Sequence, residues 1–128
     1  MRILSGVDII RIDRLQKVSP AIRKRFFLRV FNPEELVFIN EQDERAVAIF
    51  SAKEAVSKVL GTGIGAISWR DITIHHNQIG KPDVFLSNKA LVLADQLGIT
   101  SWSVSISHSQ DNAVAVAVAL SSAGVPEP

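Results

Sequence analysis

The chain has 128 residues, 47% of them apolar and 21% charged, with a net charge of +1 at neutral pH. That length supports one domain with a real core. The lack of cysteine excludes disulfides and thiolate metal sites. No apolar run is long enough to span a membrane, and Asp8 and Arg11 interrupt any signal-peptide core near the N-terminus, so the expected compartment is the cytoplasm. The charge is uneven. Residues 1–31 carry eight basic and two acidic side chains, which suggests an acidic partner.

Ile3 to Val7 reads as a short strand ending at Gly6 and Asp8. Ile9, Ile12 and Leu15, with charges between them, read as a short helix over Asp8–Leu15. Ser19-Pro20 starts a helix with Ile22, Phe26 and Val30 on one face and Arg25 and Arg29 on another. Asn32-Pro33-Glu34-Glu35 starts a second, running to about Ile39. Acids at Glu41, Asp43 and Glu44 suit the positive end of a third helix, predicted to reach Leu60. Val47, Ile49, Phe50, Val56, Val59 and Leu60 form its buried stripe. Ala48, Ala52 and Ala55 allow close neighbours, and Gly61 ends it.

Asp71–His76 alternates with period two, placing Ile72 and Ile74 on one face. Asn77–Gly80 is a turn, and Lys81–Leu86 is the return strand, with Pro82 at its start. Ser87-Asn88 caps a helix over Lys89–Leu97. Trp102–Ser107 and Ala113–Leu120 form a second hairpin, the latter with large and small residues on opposite faces. Trp69 and Trp102 are packing residues. The expected class is α+β, a mainly antiparallel sheet against a long central helix. Residues 1–120 form the single domain, and 121–128 are a flexible C-terminal tail.

Few residues offer chemistry. Asp8, at the end of a buried strand, reads first as a helix cap and second as a ligand for a hard cation such as Mg²⁺. Glu54 and Lys58, four apart, share a helical face. They are an ordinary surface pair, or else a base or metal ligand beside a phosphate-neutralising cation. Gly61-Thr62-Gly63 leaves a helix and matches neither nucleotide-binding glycine fingerprint. His108 lies between Ser107 and Ser109 in a small polar cluster. His75 and His76 point to opposite faces of a strand and form no two-histidine metal site.

Taken together, four landmarks carry a resemblance. They are Gly6-Val7-Asp8-Ile9; Phe50 to Lys58 (Phe-Ser-Ala-Lys-Glu-Ala-Val-Ser-Lys) running into Gly61-Thr62-Gly63-Ile64-Gly65; Gly80-Lys81-Pro82; and Ser105-Ile106-Ser107-His108-Ser109. In order and spacing the chain resembles bacterial holo-acyl-carrier-protein synthase, the short type of 4′-phosphopantetheinyl transferase, over about Ile3 to Leu120. The resemblance implies that fold and a Mg²⁺-dependent enzyme. It would move the phosphopantetheine arm of coenzyme A to a serine of apo acyl carrier protein and release adenosine 3′,5′-bisphosphate. It implies Asp8 and Glu54 as metal ligands and Glu54 as the group that helps remove the serine proton. Lys58 would be the cation for the leaving phosphate. Lys58, Gly61, Thr62, Gly63, Pro82 and His108 would bind coenzyme A, and Arg14, Arg25 and Arg29 would dock an acidic carrier protein. It further implies a homotrimer with sites at subunit boundaries, and neither membrane nor nucleic acid as a partner.

Two positions depart from the family pattern. Arg11 stands where the family has an acid, and Ala48-Ile49 stands where it has glycine-arginine. They motivate an alternative, a weakly active or non-catalytic paralogue that binds carrier protein or coenzyme A. A nucleic-acid-binding reading of the basic N-terminal helices finds no support in the sparse aromatics, the absent tyrosine or any known signature.

Overall fold

A computed structural model describes residues 1–61 and 65–123. Strands β1 (Arg2–Arg11), β5 (Asn112–Ser121) and β4 (Ile99–His108) form an antiparallel sheet in the order β1-β5-β4. Strands β2 (Ile72–His76) and β3 (Pro82–Leu86) form a hairpin. Helices α1 (Pro20–Val30), α2 (Pro33–Ile39), α3 (Asp43–Leu60) and α4 (Asn88–Gln96) complete the α+β fold, with single 3₁₀ turns at Ile12–Leu15 and Trp69–Asp71.

The sheet owes its shape to alternation on β5. Ala113, Ala115, Ala117 and Ala119 are all buried, at 0–1% exposure. Val114, Val116 and Val118 occupy the alternate positions and so the other face. The small inner face lets α3 lie close against β5 and β1. At Gly6 the approach is closest: a Cβ there would sit 2.2 Å from the Ala55 carbonyl oxygen and 3.0 Å from Lys58 Cβ. Only glycine permits that crossing, and it fixes β1 over the C-terminal third of α3.

Helix α3 also packs against α2 and β2. From Ala46 to Leu60 every residue except Glu54 and Lys58 is buried. The expected apolar stripe is therefore an almost fully enclosed helix. Its enclosure takes in a charge. The Lys53 ammonium lies 2.6 Å from Glu35 Oε1, with both side chains at 0% exposure. Lys53 also donates to the Val30 carbonyl at 2.6 Å and the Trp69 carbonyl at 3.2 Å. Glu35 accepts from the backbone N–H groups of Asn32 and Ile74, each at 2.8 Å. Burial pushes the Lys53 amine below its usual range, and the adjacent Glu35 opposes that. The pair joins the end of α1, the start of α2, α3 and β2 through partners that satisfy most of its hydrogen-bonding capacity.

Most predicted elements lie within a few residues of their observed positions; the exception is the first strand. β1 does not end near Val7 but pairs with β5 from Arg2↔Ser121 to Arg11↔Asn112. No helix begins at Asp8, and the following 3₁₀ turn starts at Ile12 with Arg11 before it. The helix-cap reading of Asp8 is therefore wrong. Ladder pairing along all of β5 outweighed a weak three-residue apolar spacing. β5 likewise runs through Ser121, which is fully buried, and the Ser122 N–H donates to the Gly98 carbonyl at 2.8 Å. The chain thus stays bonded past the expected start of the tail.

Candidate active site

Asp8 lies inside β1 with its side chain on the α3 face, between Gly6 and Ile10, both buried. Because Gly6 admits α3, the helix residue next to the strand is Lys58. Its ammonium donates to Asp8 Oδ1 at 3.1 Å and to the Val7 carbonyl at 2.8 Å. Two of its three N–H groups are so occupied, and the side chain is half exposed. The Glu54–Lys58 surface pair does not form, because Lys58 reaches across to the strand. Asp8 Oδ2 is buried with no hydrogen-bond partner.

Glu54 stands one turn before Lys58 on the same face. Its carboxyl is pushed above the usual range, first by burial and then by the charge of Asp8, with Lys58 and Arg14 opposing. Two carboxylates, one with an orphaned buried oxygen and the other resisting ionisation beside it, keep acceptor capacity that Lys58 does not fill. A hard divalent cation has the chemistry to fit: it takes carboxylate oxygens and keeps room for water and phosphate. Among the described residues no group of three or more His, Asp or Glu gathers. Asp8 and Glu54 are the two carboxylates that could hold such a cation.

Arg11 does not enter this site. Three residues beyond Asp8 on the same strand, it falls on the opposite face, where its guanidinium meets Asp13 at 3.2 Å. Ile49 is fully buried and carries no ligand role.

The other expected residues divide between two places. Pro82 and His108 line a cleft of about 250 Å³ with Phe38, Arg45, Ala48 and His76 among its walls. None of Asp8, Glu54 or Lys58 lines it. Asp8 pairs with Ala115, which pairs with Ile106 on the cleft wall, so two strand spacings, roughly 10 Å, separate them. Arg14 rims an apolar cavity of about 190 Å³ lined by Ile10, Leu15, Ile22, Phe26 and Phe50. Arg25 and Arg29 are exposed on α1. Gly61 ends α3 with φ of 84°. Thr62 and Gly63 lie outside the described residues. The polar cluster around His108 is dispersed. Ser107 points to the other face of β4, and the Ser109 hydroxyl accepts from the N–H groups of Asp111 and Asn112 within the turn.

Arg45 and Phe38 carry no sequence signal for a site, and His76 offers one only as half of a histidine pair that forms no metal site. His76 stacks on Phe38 with ring centroids 3.7 Å apart and planes 8° apart. Nothing in local spacing links residues 38, 45 and 76. In the sequence Gly6 marks a strand end and belongs to the Gly6-Val7-Asp8-Ile9 landmark; its packing role appears once α3 lies on it.

The sequence and the fold find counterparts in known proteins. The family model described as "4'-phosphopantetheinyl transferase superfamily" matches residues 5–119. A holo-[acyl-carrier-protein] synthase of Caldanaerobacter subterraneus subsp. tengcongensis is 43% identical over 123 residues, covering 94% of this chain and 96% of that protein. The crystal structure of Helicobacter pylori holo-[acyl-carrier-protein] synthase in complex with coenzyme A superposes with a TM-score of 0.83 at 34% identity, covering 91% of this chain and 100% of the other. A Bacillus anthracis holo-(acyl-carrier-protein) synthase in complex with CoA (3',5'-ADP) gives 0.74 at 32% identity, covering 93% and 96%. With the strand, helix and carboxylate pair all inside the matched span, the chain belongs to the 4′-phosphopantetheinyl transferase superfamily.

Proposed function

We propose that the protein is a holo-acyl-carrier-protein synthase. It transfers the 4′-phosphopantetheine arm of coenzyme A to a serine of an apo acyl carrier protein and releases adenosine 3′,5′-bisphosphate. Family membership supports the reaction class, and the related Helicobacter pylori enzyme was solved with coenzyme A. The observation that carries the reading is the orphaned Asp8 Oδ2 beside a Glu54 whose ionisation burial and then Asp8 oppose.

Asp8 and Glu54 would hold Mg²⁺, which when bound supplies charge neutralisation to the coenzyme A pyrophosphate. Glu54, the carboxylate that stands a turn from Lys58 on the same face, would accept the serine proton. The serine oxygen bonds to the phosphorus next to the pantetheine arm, and the P–O bond to the adenosine bisphosphate breaks. Lys58, fixed by Asp8 and the Val7 carbonyl with one N–H left over, faces the negative charge growing on that leaving group. Pro82 and His108, which line the same cleft, would contact the nucleotide, with Gly61, Thr62 and Gly63 as further proposed coenzyme A contacts.

Arg14, Arg25 and Arg29 offer a basic docking surface for an acidic carrier protein. The apolar cavity beside Arg14 would take one of the partner's apolar side chains.

The outer face of the sheet supports a homotrimer. Ile3, Val7 and Ile9 are exposed to 72%, 55% and 64%, beside Val116 on β5. This apolar strip suits burial against other copies. Setting one copy's Asp8–Glu54–Lys58 edge against a neighbour's Pro82–His108 cleft would join the two halves of the site. A cytoplasmic location belongs to the same reading; among the described residues no helix is long and apolar enough to cross a membrane.

Mass spectrometry of apo carrier protein incubated with coenzyme A, Mg²⁺ and this protein tests the reading. The expected result is a phosphopantetheine adduct that Asp8→Ala and Glu54→Ala each abolish. Carrier binding with no adduct would support the alternative, a non-catalytic paralogue. Transfer indifferent to both substitutions would remove the site assignment.

A further inference from the structure

We propose that Arg45 is the specificity-determining residue of the nucleotide cleft, recognising the phosphomonoester on the 3′ position of the coenzyme A ribose. The inference rests on the coenzyme A reading above and adds which residue reads which phosphate. Coenzyme A has two anionic groups, a pyrophosphate and a ribose 3′-phosphate. The first is matched by Asp8, Glu54 and Lys58, so a cation in the separate cleft is left for the second.

Arg45 is built for that task. Its Nη1 donates to the Phe38 carbonyl at 2.7 Å, and its guanidinium carbon lies 4.9 Å from the centre of the Phe38 ring. These contacts hold the guanidinium plane while occupying one of its five N–H groups. Among the described residues Arg45 forms no salt bridge. Glu44, on the same cleft wall, is its nearest competitor in sequence and does not pair with it. A fixed, partly buried guanidinium without a carboxylate matches a phosphate dianion, which it can meet with two parallel hydrogen bonds.

The surroundings favour a nucleotide. His76 lies parallel to Phe38, and its Nδ1 is buried with no hydrogen-bond partner. Burial, then His75, then Arg45 hold His76 below its usual pKa, which keeps it neutral at pH 7. Arg45 is thus the cleft's permanent cation, with the exposed His108 at the rim. Arg45 and Ile49 stand one turn apart on one helical face.

Calorimetry with adenosine 3′,5′-bisphosphate and adenosine 5′-phosphate tests this without turnover. The unmodified protein is expected to prefer the bisphosphate by roughly 10- to 100-fold, the effect of one charge-assisted contact. Arg45→Met, which keeps the stem against Phe38, is expected to bring that ratio close to one. Arg45→Lys should leave an intermediate ratio, and it serves if the methionine variant fails to fold. Where transfer is measurable, the preference for coenzyme A over 3′-dephospho-coenzyme A should fall by the same factor, through KM and not kcat. Equal weakening of both nucleotides, or an unchanged ratio, overturns the proposal. A ratio that collapses in Arg45→Met while no transfer occurs upholds it and removes the transferase reading instead.

Discussion

Gly6 and Ala55 meet backbone to backbone, and that meeting places Asp8 beside Lys58. A Cβ on Gly6 would lie 2.2 Å from the Ala55 carbonyl oxygen, a backbone atom that cannot rotate away. Gly6→Ala is therefore expected to push β1 off α3. We expect a loss of at least about 1–3 kcal/mol, the usual range for overpacking, read by urea denaturation. Transfer should fall with it, because Asp8 and Lys58 separate. An alanine variant as stable and active as its parent would show that strand and helix do not need this contact.

The Lys53–Glu35 pair makes a different prediction. Removing one partner strands the other in the core, so Lys53→Met is expected to cost about 3–5 kcal/mol. Glu35→Leu added to it removes the stranded carboxylate and should recover part of that loss. Denaturant midpoints of the two single variants and the double variant give the coupling. Additive losses would mean that the two charges do not depend on each other.

His76 sets a pH dependence of stability. Its folded pKa is depressed by burial, His75 and Arg45, so between the folded and unfolded values the unfolded chain binds more protons. Stability then rises with pH. The contribution is complete above the unfolded value of about 6.5 and is lost as pH falls through the folded value. His76→Phe, which retains a ring against Phe38, should flatten the slope between pH 7.5 and 5. The same slope in the variant would assign it to other groups.

The strip of Ile3, Val7 and Ile9 predicts self-association. Val7→Lys puts a charge at the centre of the apolar face while leaving the inner face untouched. Light scattering after size exclusion should show three copies for the parent and fewer for the variant. A monomeric parent would leave the strip without the proposed neighbour.

The course of the chain was legible wherever a local signal was strong. Ser19-Pro20 and Asn32-Pro33 start α1 and α2, and Ala113–Leu120 carries its alternation in plain sight. The first strand misled because Ile9, Ile12 and Leu15 imitate a helical spacing over too short a stretch. The ten-pair ladder with β5 decided the matter and turned Asp8 from a supposed cap into an inward-facing carboxylate. For the site, motif resemblance named Asp8, Glu54 and Lys58 and its family. It could not show that Lys58 bonds to Asp8 and not to Glu54, or that Pro82 and His108 belong to a separate cleft.

The sequence by itself determined the α+β class, the helix starts, the glycine exit from α3 and the identity of the carboxylates. These follow from backbone propensity, side-chain period and residue chemistry within a few neighbours. Tertiary structure alone decided the environments. It buried Asp8 Oδ2 without a partner, enclosed Lys53 with Glu35, turned Arg11 to the opposite face and set Arg45 against Phe38 and His76. The reason is physical. Burial, desolvation and charge pairing depend on which distant elements pack together, and here that packing hinges on a missing Cβ at Gly6.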